Sequence, residues 1–308
     1  MEQESILDYK RLELRMVNKA DEDIVTLLEN TVLGSEGGMQ YSMQNIGERI
    51  VNYGDGLSFM ALYKKGALAG VIGLCRRKTL NSGVEYDSTY LRYLAVSRAF
   101  QTQAVPTRRT EHLSHVEESF KHKLFSMFRR HGSFIGGTEK ATEPQLMYAY
   151  VESRNERSKN LIHQAGYEYI RSFLTVAFSR FKPIADSRVT RLPVAEEPAM
   201  TALLSGFYRK YCFYTDEFSF FNHGYYVMKV KGEIVAGVCA VPTSYRVVNV
   251  PGVWGWVMMK IMPKTPWFRR LFRPGEFRYL VLSSIYCRPG SEHLLPDLFE
   301  SVCAAEGY

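Results

Sequence analysis

The 308-residue chain has few cysteines: Cys75, Cys212, Cys239, Cys287 and Cys303, an odd number at wide spacings with no Cys-x-x-Cys. That argues against a disulfide framework or a cysteine zinc site and fits a reducing, cytoplasmic compartment. No run of about 18 apolar residues occurs, so no membrane-spanning helix is expected. The first ten residues include Glu2, Glu4 and Asp8 and no apolar stretch, so no signal peptide is expected there. Glycine is missing between Ser97 and His131. That stretch comes after a strand pattern and leads towards a helical one, a place where backbone N–H groups commonly hold an anion.

What is present is ordinary for a globular protein: 46% hydrophobic and 23% charged residues, a length suited to two domains, and an abundance of tyrosine (20) and phenylalanine (18). A net charge of +7 and a sequence pI of about 9.0 favour acidic partners. A basic enzyme is preferred over a nucleic-acid binder. The apolar stretch 254–262 is followed by Trp267, Phe268, Arg269, Arg270, Leu271 and Phe272. It reads as a loop packed over a core, with a membrane surface or a partner as alternatives. His112, His115 and His122 recur along one predicted helix, but about 10 Å separates the last two at ~1.5 Å per residue. With no further ligands nearby, no metal is expected.

Periodicity gives a sequence of elements for the first half. Residues 12–16 alternate as a strand. Asp21 is placed to cap a helix through about 31 that carries Ile24, Leu27 and Leu28, and Gly34, Gly37 and Gly38 break it. A short helix is predicted at 43–53. Strands at 59–63 and 68–75 flank Lys64-Lys65-Gly66, and another strand runs over 89–97. After a loop at 98–110 comes a helix at 111–130, with Val116, Phe120, Leu124, Met127 and Phe128 on one face. A strand at 146–151, a helix at 155–164 ended by Gly166, and a last strand at 167–181 complete the order β-α-α-β-β-β-α-β-α-β.

This order, and the residues at its joints, resemble the GCN5-related N-acetyltransferase superfamily across most of residues 10–181. Asn155, Ser158, Gly166 and Tyr167 fit the spacing of a late helix in that family, while Ile162 stands where the family often has a tyrosine. Val96, Phe100 and Gln101 fit the start of its phosphate loop, but Ala104 and Pro106 replace the glycines, and Pro106 also lacks an N–H. Arg98, Arg108 and Arg109 are candidates to compensate. The resemblance implies a mixed α/β acyl-CoA N-acyltransferase fold with acetyl-CoA as co-substrate. It implies that the strand backbone at Leu94, Ala95 and Val96 holds the pantetheine and thioester. Gln101, Thr102, Gln103 and Ala104 would then face the pyrophosphate, and Asn155 and Ser158 would contact the cofactor. The family often uses a glutamate near the central strands as base; Glu85 is the candidate, with Asp87 beside it, both expected just before the 89–97 strand.

Lys182-Pro183 marks an expected boundary, giving domains 1–182 and 183–308. In the second half a strand is predicted at 189–193 and a helix at 197–211. Lys231-Gly232-Glu233 centres a hairpin of 225–230 with 234–241 that matches 65–71 once one inserted residue is allowed. Arg92-Tyr93-Leu94-Ala95-Val96-Ser97 matches Arg278-Tyr279-Leu280-Val281-Leu282-Ser283, which puts Gly290 opposite Ala104 and Glu292 opposite Pro106. A helix over 294–305 comes next. A repeat this long predicts two copies of one fold. The second copy stops before its next strand and Asn-bearing helix, so the chain is expected to be a truncated piece. The insertion 243–276 carries Trp254, Trp256 and Trp267 and has no counterpart in the first half.

The expected activity is acyl transfer from acetyl-CoA to an amine of a small molecule or peptide. The alternatives are a catalytically inactive binding or scaffolding protein and, third, an aminoacyl-tRNA-dependent transferase of tandem fold.

Overall fold

The computed structural model describes residues 3–9, 11–34, 37–51, 53–102, 122–126, 128, 145–179, 182–220, 224–269 and 272–308. Two hairpins share one construction. At Lys65-Gly66 and Lys231-Gly232 both residues have positive φ, 52° and 80° in the first pair and 55° and 82° in the second. Two such residues in a row give the tight turn whose twist matches paired strands. Each hairpin carries a register irregularity at the same distance from its turn, at Leu62/Tyr63 and at Met228/Lys229. The two therefore superpose without a gap, Ala69 on Val235, and the inserted residue expected from the sequence is not there. The glycines stand one position apart in the two hairpins, Gly70 and Gly237, which makes the sequences look offset. At Gly70 a Cβ would make a tight 3.2 Å approach to Ala95 O, whereas at Gly237 a Cβ would lie 2.8 Å from the ring of Tyr225.

In chain order the elements are β1 (Gln3–Tyr9), β2 (Leu12–Val17), α1 (Glu22–Glu29), β3 (Val32–Leu33), β4 (Gln40–Met43), α2 (Ile46–Val51), β5 (Leu57–Lys64), β6 (Ala67–Asn81), β7 (Val84–Val96), α3 (Arg98–Thr102), β8 (Gln145–Ala149), α4 (Glu156–Gln164), β9 (Val189–Arg191), α5 (Glu197–Phe207), β10 (Tyr225–Val230), β11 (Glu233–Asn249), α6 (Gly252–Lys260), α7 (Pro266–Arg269), β12 (Phe277–Cys287) and α8 (Leu295–Glu306). By their contacts, Met1–Arg77, Asp87–Ser172 and Arg246–Gly275 make one unit; Lys78–Tyr86, Phe173–Tyr245 and Glu276–Tyr308 make the other.

The first unit is built on the sheet β1-β2-β5-β6-β7-β8, in which β7 and β8 run parallel. Asp21 caps α1, its Oδ1 accepting from Ile24 N at 2.9 Å. Ile24 and Leu28 from α1 and Ile46 and Ile50 from α2 pack on one sheet face with Phe59, Ala61, Tyr93 and Ala95. Leu12, Leu14, Met60, Leu74 and Leu91 fill the other face, joined by Phe100, Leu124 and Phe128. A strand buried on both faces reads as a continuous apolar run, which is why β5 is so plain in the sequence. Of the predicted helix at 111–130, residues 122–126 and 128 are helical and the rest lies outside the described residues, as do His112 and His115.

Four expectations change. β1 was not foreseen, nor was the short β3–β4 ladder in the glycine-rich stretch. β7 begins at Val84, so Glu85 and Asp87 lie within the strand rather than before it. Over the described part of the last strand expected at 167–181, residues 168–179, no strand is assigned, and the apolar side chains there stand exposed. Apolar alternation makes a strand only where a neighbour satisfies its backbone groups.

In the second unit, β9-β10-β11 form an antiparallel sheet and β12 pairs with β11. Met200 and Leu204 of α5 cover one face, against Tyr225, Val227, Cys239 and Tyr286. Leu298 and Val302 of α8 cover the other, against Tyr226, Met228 and Val238. The predicted helices at 197–211 and 294–305 are thus present, and Gly307 ends α8 with φ 73°.

Candidate functional site

The site starts from one backbone angle. Tyr93, inside β7, has φ +55°, a left-handed conformation that a bulky residue seldom adopts. The side chains report the same irregularity. Tyr90 packs with Tyr93 and Ala95 on one face although their positions differ in parity, while Leu91 packs on the other. One extra residue has been inserted at Tyr93, a β-bulge, and such a residue bends its strand and re-aims the backbone beyond it.

Past the bulge, at Leu94, one edge of β7 is open among the described residues. The parallel ladder of β7 with β8 runs from Asp87–Gln145 to Leu91–Ala149 and stops there, while β7 continues to Val96. On the other side, Ser97 N donates to Ala69 O of β6 at 2.8 Å. Backbone groups alternate in direction along a strand. Counting back from Ser97, Ala95 faces β6 and Leu94 faces the edge that β8 has left. The Leu94 N–H and C=O are therefore directed at a gap with no ladder partner among the described residues.

An arginine–tyrosine cluster supports the bulge. The Arg92 guanidinium lies 4.1 Å from the Tyr93 ring centroid, 4.8 Å from that of Tyr53 and 5.6 Å from that of Tyr90, and its Nη1 donates to the Tyr53 hydroxyl. Arg77 lies 4.8 Å from the Tyr90 centroid, and Tyr90 stacks on Tyr148 at 5.2 Å. Burial raises the Tyr90 hydroxyl far above its ordinary pKa, with Arg77 opposing. It stays a neutral donor throughout the physiological range. Sequence reading missed this cluster; its signal was the tyrosine spacing across 53, 90, 93, 148 and 150.

Beyond the strand, Ser97 receives Phe100 N on its carbonyl (3.0 Å) and on its Oγ (3.4 Å), opening α3. That helix has five residues and includes Gln101 and Thr102; Gln103, Ala104 and Pro106 lie outside the described residues.

The second unit has its own bulge. Ser284, in β12, has φ +47°. Arg288 N donates to Val235 O as Ser97 N does to Ala69 O, so Ser284 corresponds to Tyr93 and Ile285 to Leu94. The sequence match Arg92–Arg278 is thus five residues out of register: Ser283, not Arg278, occupies the place of Arg92, and Gly290 stands opposite Ala99 rather than Ala104. Here the carbonyls at the bulge are occupied. Tyr225 donates to Ser284 O at 2.9 Å and Tyr208 to Ile285 O at 2.7 Å. Burial pushes the Tyr208 hydroxyl up to about 12, keeping it a donor. Tyr225 reaches β12 by lying across Gly237, where a Cβ would meet its ring at 2.8 Å and its hydroxyl at 2.9 Å. Gly237→Ala is therefore expected to cost about 1–3 kcal/mol, read as a fall of several degrees in Tm. An unchanged Tm would mean that Tyr225 has room to move.

No protein-family model and no curated protein matches the chain. Solved structures do. One of Saccharomyces cerevisiae N-myristoyltransferase with bound myristoyl-CoA aligns with a TM-score of 0.53 at 12% identity, over 99% of this chain and 76% of that one. A second, with myristoyl-CoA and inhibitors, gives 0.50 at 9% identity over 99% and 73%. The chain has the tandem acyl-CoA N-acyltransferase fold. Glucosamine-6-phosphate N-acetyltransferase from Arabidopsis thaliana also matches, over 54% of this chain and 99% of its own, with a TM-score of 0.29 and 13% identity.

Within this acyltransferase fold the remaining expected site residues are spread over α4 and β7. Asn155 caps α4, its Oδ1 accepting from Ser158 N at 3.0 Å. Gly166, with φ 94°, closes the same helix, its N–H bonded to His163 O and that of Tyr167 to Ile162 O. Capping alone accounts for the Asn155, Ser158 and Gly166 spacing. Asn155→Ala is expected to cost about 1 kcal/mol, and Asn155→Ser, which caps about as well and adds no charge, about nothing. A weakened donor affinity in the stable Asn155→Ser variant would reveal a direct contact through the Asn155 side chain. Glu85 lies nine positions before Leu94 along β7, exposed and ion-paired with Lys78 at 3.4 Å. Val96 ends the strand, and Ala95 is buried in the core.

Proposed function

We propose that the protein transfers an acyl group from an acyl-coenzyme A thioester to an amine, and that the first unit holds the thioester. The observation that carries this reading is the Leu94 backbone at the open edge beyond the Tyr93 bulge. Attack of an amine on a thioester carbonyl builds negative charge on its oxygen. A fixed N–H aimed at that oxygen stabilises the charge, and being part of a strand it needs no reorganisation to do so. The neighbouring backbone of Ala95 and Val96 is proposed to guide the pantetheine, and Gln101, Thr102, Gln103 and Ala104 to lie along the phosphates. At the corresponding place in the second unit, the Ile285 carbonyl already accepts from the Tyr208 hydroxyl, so the two edges differ.

Acetyl-CoA is the proposed donor, and the N-myristoyltransferase likeness makes a long-chain acyl-CoA the comparison to run. The acceptor is an amine on a small molecule or peptide, and the proposed compartment is cytoplasmic. No helix among the described residues is long and apolar enough to cross a membrane. One observation favours a binding protein without turnover: Ile162, where the resemblance would put a tyrosine, has no proton to give a departing thiolate.

Calorimetry with acetyl-CoA and with myristoyl-CoA tests binding, and release of free thiol with an amine panel tests turnover. The expected result is one site per chain and amine-dependent thiol release. Binding without release supports the second reading. No heat with either donor at millimolar concentration overturns both.

A further inference from the structure

The segment Arg246–Gly275 belongs to the first unit, and past the end of β11 at Asn249 neither a sheet nor the proposed chemistry uses it. Its helix α6 runs Gly-Val-Trp-Gly-Trp-Val-Met-Met-Lys. A helix apolar on every side is normally buried. Here only Gly255 is buried, pressed so close to the chain that a Cβ would lie 2.0 Å from Val250 O. Val253 is 78% exposed, Trp254 80% and Trp256 58%. Ile261 and Phe268, further along, are exposed as well.

Charge says what would cover this face. From Ile234 to Gly275 the sequence has no aspartate or glutamate, yet it has Arg246, Lys260, Lys264, Arg269, Arg270 and Arg273. Lys260 and Lys264 are exposed beside the apolar residues. A buried protein–protein interface is depleted in lysine at its core. Tryptophan with lysine and arginine around a short apolar helix is instead the composition of a helix lying in the headgroup region of a bilayer with anionic lipid. The helix is far too short to span, so it lies on the surface.

We propose that Arg246–Gly275 docks the protein on the surface of an anionic phospholipid bilayer, with Trp254 and Trp256 entering the interface and Lys260 and Lys264 meeting the headgroups. This stands independently of the acyl-transfer reading. The three tryptophans of the sequence, Trp254, Trp256 and Trp267, all lie in this segment, so selectively excited tryptophan emission reports on it alone.

The test uses the full chain with vesicles of phosphatidylcholine, with and without about 30% phosphatidylserine. The expected result is co-sedimentation with the anionic vesicles only, a blue shift of tryptophan emission, and a loss of about tenfold or more in partitioning when salt is raised from about 0.1 to 0.5 M. The W254A/W256A double variant, altered only at exposed positions, should keep its Tm and lose about tenfold or more of the partitioning. K260E/K264E should lose the salt-sensitive part. Equal binding to neutral vesicles, unshifted emission, or binding retained by W254A/W256A overturns the proposal. So does a concentration-dependent dimer abolished by W254A/W256A in a protein that ignores vesicles, which would make the face a contact between copies.

Discussion

Replacing the Leu94 amide by an ester, through incorporation of the α-hydroxy analogue of leucine, is expected to lower kcat by about 10²-fold or more, the loss found when one oxyanion donor is removed. The substitution takes away a single N–H and leaves the side chain in place. Ground-state donor affinity should change far less, because a thioester carbonyl accepts a hydrogen bond weakly until charge develops on it. Leu94→Ala is the matching control. Leu94 projects an exposed side chain, so shortening it should leave kcat close to the parent value. An ester variant that turns over normally would remove Leu94 from the chemistry. An alanine variant as damaged as the ester would transfer the role to the side chain.

Arg92→Ala is expected to destabilise the first unit by about 2–3 kcal/mol, from partly desolvated cation–π contacts and a lost charged hydrogen bond. Three tyrosine rings lie within 4.1–5.6 Å of that guanidinium, and Tyr53 accepts from it. Without it, the left-handed Tyr93 loses the group packed against its ring, and the bulge should relax. Arg92→Lys should recover less than half of the loss, because an ammonium point charge cannot lie flat on several rings while bonding a hydroxyl. Urea unfolding followed by circular dichroism measures this, with a midpoint fall of about 1 M expected for Arg92→Ala. An unshifted midpoint, or full rescue by lysine, would show that the cluster does not hold the bulge.

The structure is legible in the sequence wherever a residue's own conformational needs decide it. Lys65-Gly66 and Lys231-Gly232 turn where a positive φ is required, Asp21 and Asn155 sit at helix starts, and Gly166 and Gly307 at helix ends. These are local rules, and they located both repeats. Register across a sheet is not local. The Arg-Tyr-Leu patterns of β7 and β12 match because strands favour the same residues, while the hydrogen bonds of Ser97 and Arg288 place them five residues apart. The bulges were invisible because a tyrosine and a serine, not glycines, take the left-handed conformation. At Tyr93 it is tertiary packing around Arg92 that holds a residue where its own preference would not put it. The 167–181 stretch has the pattern of a strand, but over its described residues 168–179 no strand forms, and a single sequence does not say which edge of a sheet will be filled.

The central claim is that the open edge at Leu94 receives the thioester, and a crystal structure with a non-hydrolysable ketone analogue of acetyl-CoA tests it most directly. The account predicts one analogue per chain, with its carbonyl oxygen about 2.9 Å from Leu94 N and its pantetheine running beside Ala95 and Val96. An analogue lying at Ser284–Ile285, or one in the first unit with its carbonyl turned away from Leu94, would contradict it.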